Sequence, residues 1–148
     1  MFYQMITNAR DRWFSSPACT AREVMKYIEQ TNQMRDAQVD AIKTYLFLKI
    51  ACGCVPLSQL FCQGTFNTLN LEQEEISTSV RDFLEDHPDA AALFEYACLK
   101  NDSGEQVSEK LEKQIRKAPE SIDYEKFFRD AFYGVSYTDY LFSLPMGA

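Results

Sequence analysis

Asp36-Ala37-Gln38-Val39-Asp40-Ala41-Ile42-Lys43-Thr44-Tyr45-Leu46-Phe47-Leu48-Lys49-Ile50-Ala51 is the stretch that decides the fold class. Val39, Ile42, Leu46 and Ile50 recur at helical spacing and make one face. Tyr45, Phe47 and Leu48 widen that face almost to a full circle. A helix apolar on most sides sits at the centre of its domain. The reading therefore puts the 36–51 helix in the middle, and Gly53 and Pro56 end it or bend it.

Helical patterns continue on both sides. Upstream, Thr20-Ala21-Arg22-Glu23 has capping-box spacing, followed by a stripe of Ala21, Val24, Met25 and Ile28. Downstream, residues 63–76 are turn-rich and then acidic, and read as a loop. Val80, Phe83 and Leu84 mark a short helix stopped by His87-Pro88. Pro88 suits the first position of the next helix, whose stripe is Ala90, Leu93, Phe94, Ala97 and Cys98. After a turn at Asn101-Asp102-Ser103-Gly104 come Val107, Leu111 and Ile115. Asp123 can cap a last helix carrying Tyr124, Phe127, Phe128, Ala131 and Phe132, ended by Gly134. The tail Tyr137-Thr138-Asp139-Tyr140-Leu141-Phe142-Ser143-Leu144-Pro145 is apolar without a 3.6 period and reads as a buried strand. The expectation is an all-α, multi-helix domain over 1–136, with six or seven helices. Residues 89–99 and 123–133 would pack on the central helix, and 140–144 would form one isolated C-terminal strand.

Composition bounds the function. The chain has 148 residues and a net charge of −7, with 46% apolar and 25% charged residues. That is enough to bury a core and wrong for a disordered chain. Residues 1–66 carry a net +2 and residues 67–148 a net −9. Only the first part could face phosphates comfortably, so a stand-alone nucleic-acid binder is disfavoured. No apolar run approaches the ~20 residues of a membrane span, and the N-terminus does not read as a signal peptide. Five cysteines, three of them (Cys52, Cys54 and Cys98) in apolar sequence, fit reduced thiols and a cytoplasmic location better than a disulfide framework.

Few constellations carry chemistry. Cys52-x-Cys54-x7-Cys62 lacks the paired spacing of a zinc site. The one histidine, His87, belongs to a helix-end turn and has no evident nucleophile beside it. The 11 Phe, 8 Tyr and one Trp match core stripes better than base-stacking platforms, with Trp13, beside Arg10 and Arg12, the best exception. Two short segments remain. One is Met34-Arg35-Asp36-Ala37-Gln38-Val39-Asp40-Ala41-Ile42, and the other is Tyr140 through Leu144-Pro145-Met146-Gly147-Ala148. The second supplies an apolar strand and the first half of a glycine turn of the kind that cradles phosphate.

These segments resemble those of superfamily 2 helicases of the DEAD/DEAH-box or type III restriction-like kind. Leu144-Pro145-Met146-Gly147-Ala148 looks like the opening of their motif I, whose next residues are Gly-Lys-Ser/Thr. Arg35-x-x-Gln38 followed by Ala41-Ile42 looks like their R-x-x-Q-x-x-A-I segment, related to the Q motif. The resemblance implies an N-terminal accessory region whose parent couples ATP and magnesium to movement on DNA or RNA. Gln38 would read adenine with Arg35 beside it, and Met146, Gly147 and Ala148 would open the phosphate loop. Residues 137–148 would be the first strand and truncated P-loop of a RecA-like motor sheet. The implied partners are the motor domains, and nucleic acid through them, with no membrane. The chain departs from the family in lacking the motif I lysine and hydroxyl residue, so it is expected to hydrolyse no ATP by itself. About 100 residues also separate the two segments, where a few tens is usual, which implies a helical insertion. The alternative is a stand-alone acidic helical module that binds protein partners through its 67–148 half.

Overall fold

A computed structural model describes residues 1–133. The described part is all-α. Its helices are α1 (Phe2–Ser15), α2 (Arg22–Thr31), α3 (Asp36–Leu46), α4 (Leu57–Cys62), α5 (Thr78–Asp86), α6 (Pro88–Cys98), α7 (Glu109–Lys117) and α8 (Tyr124–Ala131). Lys100 and Gln106 form an isolated antiparallel bridge, the one β pairing among the described residues. The strand expected at 140–144 lies outside the described residues.

The start and stop chemistry is local. Ser77, Ser108 and Asp123 each accept a bond from a backbone N–H in the first turn of α5, α7 and α8. Such a cap satisfies a donor the helix itself cannot. Pro88 opens α6, where a missing N–H costs nothing. The capping box expected at Thr20 does not form. Ala21 is the cap residue of α2, so the Thr–Glu spacing is out by one. The Arg22 guanidinium instead ties back to the carbonyls of Phe14 and Ser16.

The 36–51 segment is not the central helix. α3 ends at Leu46, and residues 47–51 form one π-helical turn, in which Cys52 N–H donates to Phe47 O at 3.2 Å. An extra residue in a turn rotates the downstream residues by about 100°. Phe47, Leu48 and Cys52 thereby enter the core, while Ile50 is left exposed. Val39, Ile42 and Leu46 are only half-buried and lie outside the core cluster.

The centre belongs to α6. Ala90, Ala92, Leu93, Phe94 and Ala97 are all fully buried, and α4, α5, α7 and α8 pack around them. Three alanines let those neighbours approach closely. α4, which the sequence pattern does not set apart as a helix, supplies Phe61. Its ring stacks on Phe128 at 5.3 Å and on Phe132 at 5.2 Å, and meets Phe66 and Phe2 edge-on. Phe47, Phe61, Phe66, Phe94, Tyr124 and Phe128 are thus core, whereas Tyr3, Tyr27, Tyr45 and Tyr133 are exposed. The 63–76 segment is a loop with one short 3-10 turn at Leu71–Gln73, pinned by a buried carboxylate. Glu95 accepts from Thr68 N–H at 2.9 Å, Thr68 Oγ1–H at 2.5 Å and Leu69 N–H at 3.3 Å.

Candidate functional site

The segment that carries the family resemblance sits at the corner between α2 and α3. Asn32 ends α2 in a left-handed conformation (φ 50°), and Arg35 follows in extended backbone. α3 then begins at Asp36. In its first turn Arg35 N–H donates to Gln38 Oε1 at 2.9 Å, while Gln38 N–H donates to Arg35 O at 2.9 Å. This is one half of a capping box. A guanidinium has no acceptor, so the reciprocal half is impossible.

The bond fixes the orientation of the Gln38 amide. One lone pair of Oε1 is used, and the second is free. The amide nitrogen of Gln38 and the guanidinium of Arg35 have no hydrogen-bond partner among the described residues. The arrangement can therefore present a donor and an acceptor side by side, which is what reading an adenine edge requires. The same bond also serves as an ordinary helix cap.

Behind this corner a polar network locks α3 to α1. Arg10 is 5% exposed and donates to Asp40 Oδ1 at 2.7 Å, Thr44 Oγ1 at 2.8 Å and Asp11 Oδ1 at 2.8 Å. Tyr3 OH donates to Asp40 Oδ2 at 2.6 Å. Burial pulls the Asp40 carboxyl upward, but the bonds from Tyr3 and Arg10 outweigh it and hold the group below the usual carboxylate range. Burial and the bond to Asp40 raise Tyr3. Burial alone would lower Arg10, and its two carboxylate partners raise it instead. The sequence gives no sign of this network, because the bonds that join α1 to α3 link residues 30 or more apart.

On the other side, Lys43 Nζ meets Glu29 of α2 at 2.6 Å. A groove of about 320 Å³ runs between the two helices, floored by Ile28 and Val39. Glu29, Asp36, Asp40 and Lys43 line it, with Glu29 paired to Lys43 and Asp40 to Arg10.

The remaining expectations divide. Met146, Gly147 and Ala148 lie outside the described residues. Trp13 is half-buried against Phe14 and Phe47, with centroids 4.9 and 5.9 Å away. It packs against the core and also lines an open pocket of about 280 Å³ with Arg12, Ser16 and Thr65. Arg12 beside it donates to Asn67 O at 2.8 Å. His87 stands exposed at a helix end, as the sequence suggests, and its Nδ1 lies 2.8 Å from Phe83 O with its ring stacked on Phe83. All five cysteines are free thiols, and burial pushes Cys52 up to about 12. No group of three or more potential metal ligands exists among the described residues. None of their helices is long and apolar enough to cross a membrane. No family model, curated protein or solved structure matches the chain.

Proposed function

We propose that this chain is the helical N-terminal accessory region of an ATP-dependent helicase or translocase of superfamily 2, and that Gln38 is its adenine reader. The observation that carries the reading is the geometry at the start of α3. The Gln38 amide is held by Arg35 N–H, with its nitrogen and one lone pair left for a ligand. Residues 144–148, in the order the resemblance requires, add support from the sequence. ATP and magnesium would be the cofactors of the parent, and DNA or RNA its track. The residues at hand fit only the adenine end of that ligand. The 148 residues contain no Gly-Lys-Ser/Thr, so no step of phosphoryl transfer belongs to them.

The coding sequence after codon 148 tests this first. Gly-Lys-Ser or Gly-Lys-Thr is expected next, and a stop codon removes the reading. In the chain extended through that loop, Gln38→Ala should weaken ATP binding about tenfold, the worth of one well-made polar contact, and leave GTP binding unchanged. Equal losses for both nucleotides would reject adenine reading. An acidic protein-binding module, the second reading, makes no use of the amide and expects no nucleotide effect at all.

A further inference from the structure

The end of α1 and the π-helical turn face each other across an open pocket of about 280 Å³. Ala9, Arg12, Trp13 and Ser16 lie at i, i+3, i+4 and i+7, so α1 and the residue after it offer one continuous face. Ala51 and Cys52 from the π turn and Thr65 from the loop after α4 form the other side. Ala9 and Ala51 leave the space open, and the extra residue of the 47–51 turn reorients Ala51 and Cys52. Directly after it, Gly53 and Cys54 are both left-handed, at φ 63° and 61°. Single π turns and non-glycine residues held at positive φ recur at functional sites.

The charge of the pocket runs against that of the chain. The chain carries a net −7, and Glu29, Asp36 and Asp40 line the α2–α3 groove. Among the described residues no carboxylate lines this pocket. The adjacent Asp11 is paired with Arg10. Arg12 is exposed and gives one N–H to Asn67 O, which orients the guanidinium and leaves its other N–H groups for a ligand. Arg22 bonds only the carbonyls of Phe14 and Ser16, so a second guanidinium without a carboxylate partner among the described residues stands beside the rim. The indole N–H of Trp13 and the hydroxyl of Thr65 also have no hydrogen-bond partner among the described residues. A guanidinium fork matches the two oxygens of a carboxylate, and the Trp13 ring with the two alanines supplies flat apolar surface. A cavity of about 150 Å³ takes up benzene, so this one has room for a single ring that bears a carboxylate.

We propose that the pocket between Trp13 and Ala51 binds a small carboxylate with a planar, apolar body, of the size of benzoate. Binding there needs neither Gln38 nor a nucleotide, so it stands or falls separately from the function proposed above. Trp13 is the one tryptophan of the chain, so its fluorescence reports on the pocket directly. Titrating the 148-residue chain with benzoate should change that emission saturably, with a Kd of about 1 mM or tighter. Saturation-transfer NMR on the benzoate ring protons reads the same binding without the tryptophan. Benzyl alcohol should bind at least about tenfold more weakly, and benzylammonium should not bind, because only the charge has changed sign. Arg12→Gln should weaken benzoate binding about tenfold. Ala51→Leu should abolish it by filling the space; Ala51 is exposed, and the change leaves the Arg12–Asn67 bond in place. No saturable response to benzoate by either readout would overturn the proposal, as would an equal response to benzylammonium. Binding that survives Ala51→Leu, or that is unchanged by Arg12→Gln, would place the ligand elsewhere and overturn it too.

Discussion

Asp40 is the residue on which the side chains of two others, Tyr3 and Arg10, depend. It accepts from Tyr3 and Arg10, and Arg10 is buried deeply enough that losing its partner strands a charge. Asp40 itself is 43% exposed at its side chain, so solvent reduces what the pair contributes. Asp40→Asn should cost about 1–2 kcal/mol at pH 7, less than breaking a fully buried pair because Asp40 is partly solvated. The sign of the pH dependence comes from the depressed folded value. An aspartate whose folded pKa lies below its unfolded value contributes stability above about pH 4 and loses it as pH falls through the folded value. The gap between the parent and Asp40→Asn, read from urea midpoints, should be full at pH 7 and shrink at pH 3. An equal gap at both values would mean that shape, and not charge, holds α3 to α1. Gln38 belongs to the same scale. Its place in the sequence motif is legible, but its bond to Arg35 N–H is not, because R-x-x-Q spacing says nothing about which group the amide meets.

Among the elements, the loop after α4 is the most constrained. Gly64 there has φ +72°, and a Cβ at this position would stand 2.8 Å from Asn67 Nδ2 and 2.9 Å from Pro88 Cβ. Pro88 opens the central helix, so the clash has nowhere cheap to go. Gly64→Ala should cost about 2 kcal/mol or more by thermal or urea unfolding, combining backbone strain with the contact. Gly53→Ala shares the positive φ but meets nothing within 4 Å, and should cost about 1 kcal/mol. A similar cost at both sites would show that backbone strain alone decides. The elements also show where sequence periodicity stops informing. α5, α6 and α8 are legible because caps and stripes agree: Ser77, Pro88 and Asp123 stand where the apolar spacing begins. α3 misleads because a stripe identifies an apolar face without saying what packs on it. The π-turn at 47–51 then breaks the spacing that makes the helix look central. The loop at 63–76 is legible as a loop, but its buried anchor Glu95 is not, since a glutamate on an alanine-rich helix reads as solvated.

Across the whole molecule, packing is uneven, and that sets the order in which parts open. α6 is enclosed by four helices, whereas α2 packs chiefly on α3, with Met25 the single buried residue within it. α2 presents Val24 and Tyr27 to solvent at 56% and 69% exposure, which the sequence stripe assigns in part to the core. Local opening tracks contact density, so α2 should exchange its amides through openings well below the global unfolding free energy. α6 should exchange only by global unfolding. Native-state hydrogen exchange across a low-urea series separates the two cases. Protection in α2 should be insensitive to urea, while protection in α6 should fall with the slope of full unfolding. Should α2 track α6, the 22–31 helix would be part of the single cooperative unit, despite its thin contacts. Because the corner at Arg35 and Gln38 joins α2 to α3, an independently opening α2 would leave the Gln38 cap attached to the α1–α3 clamp. The proposed adenine reader would then keep its orientation while its neighbour moves, because Asp40, two residues further along α3, is bonded to Arg10 and not to α2.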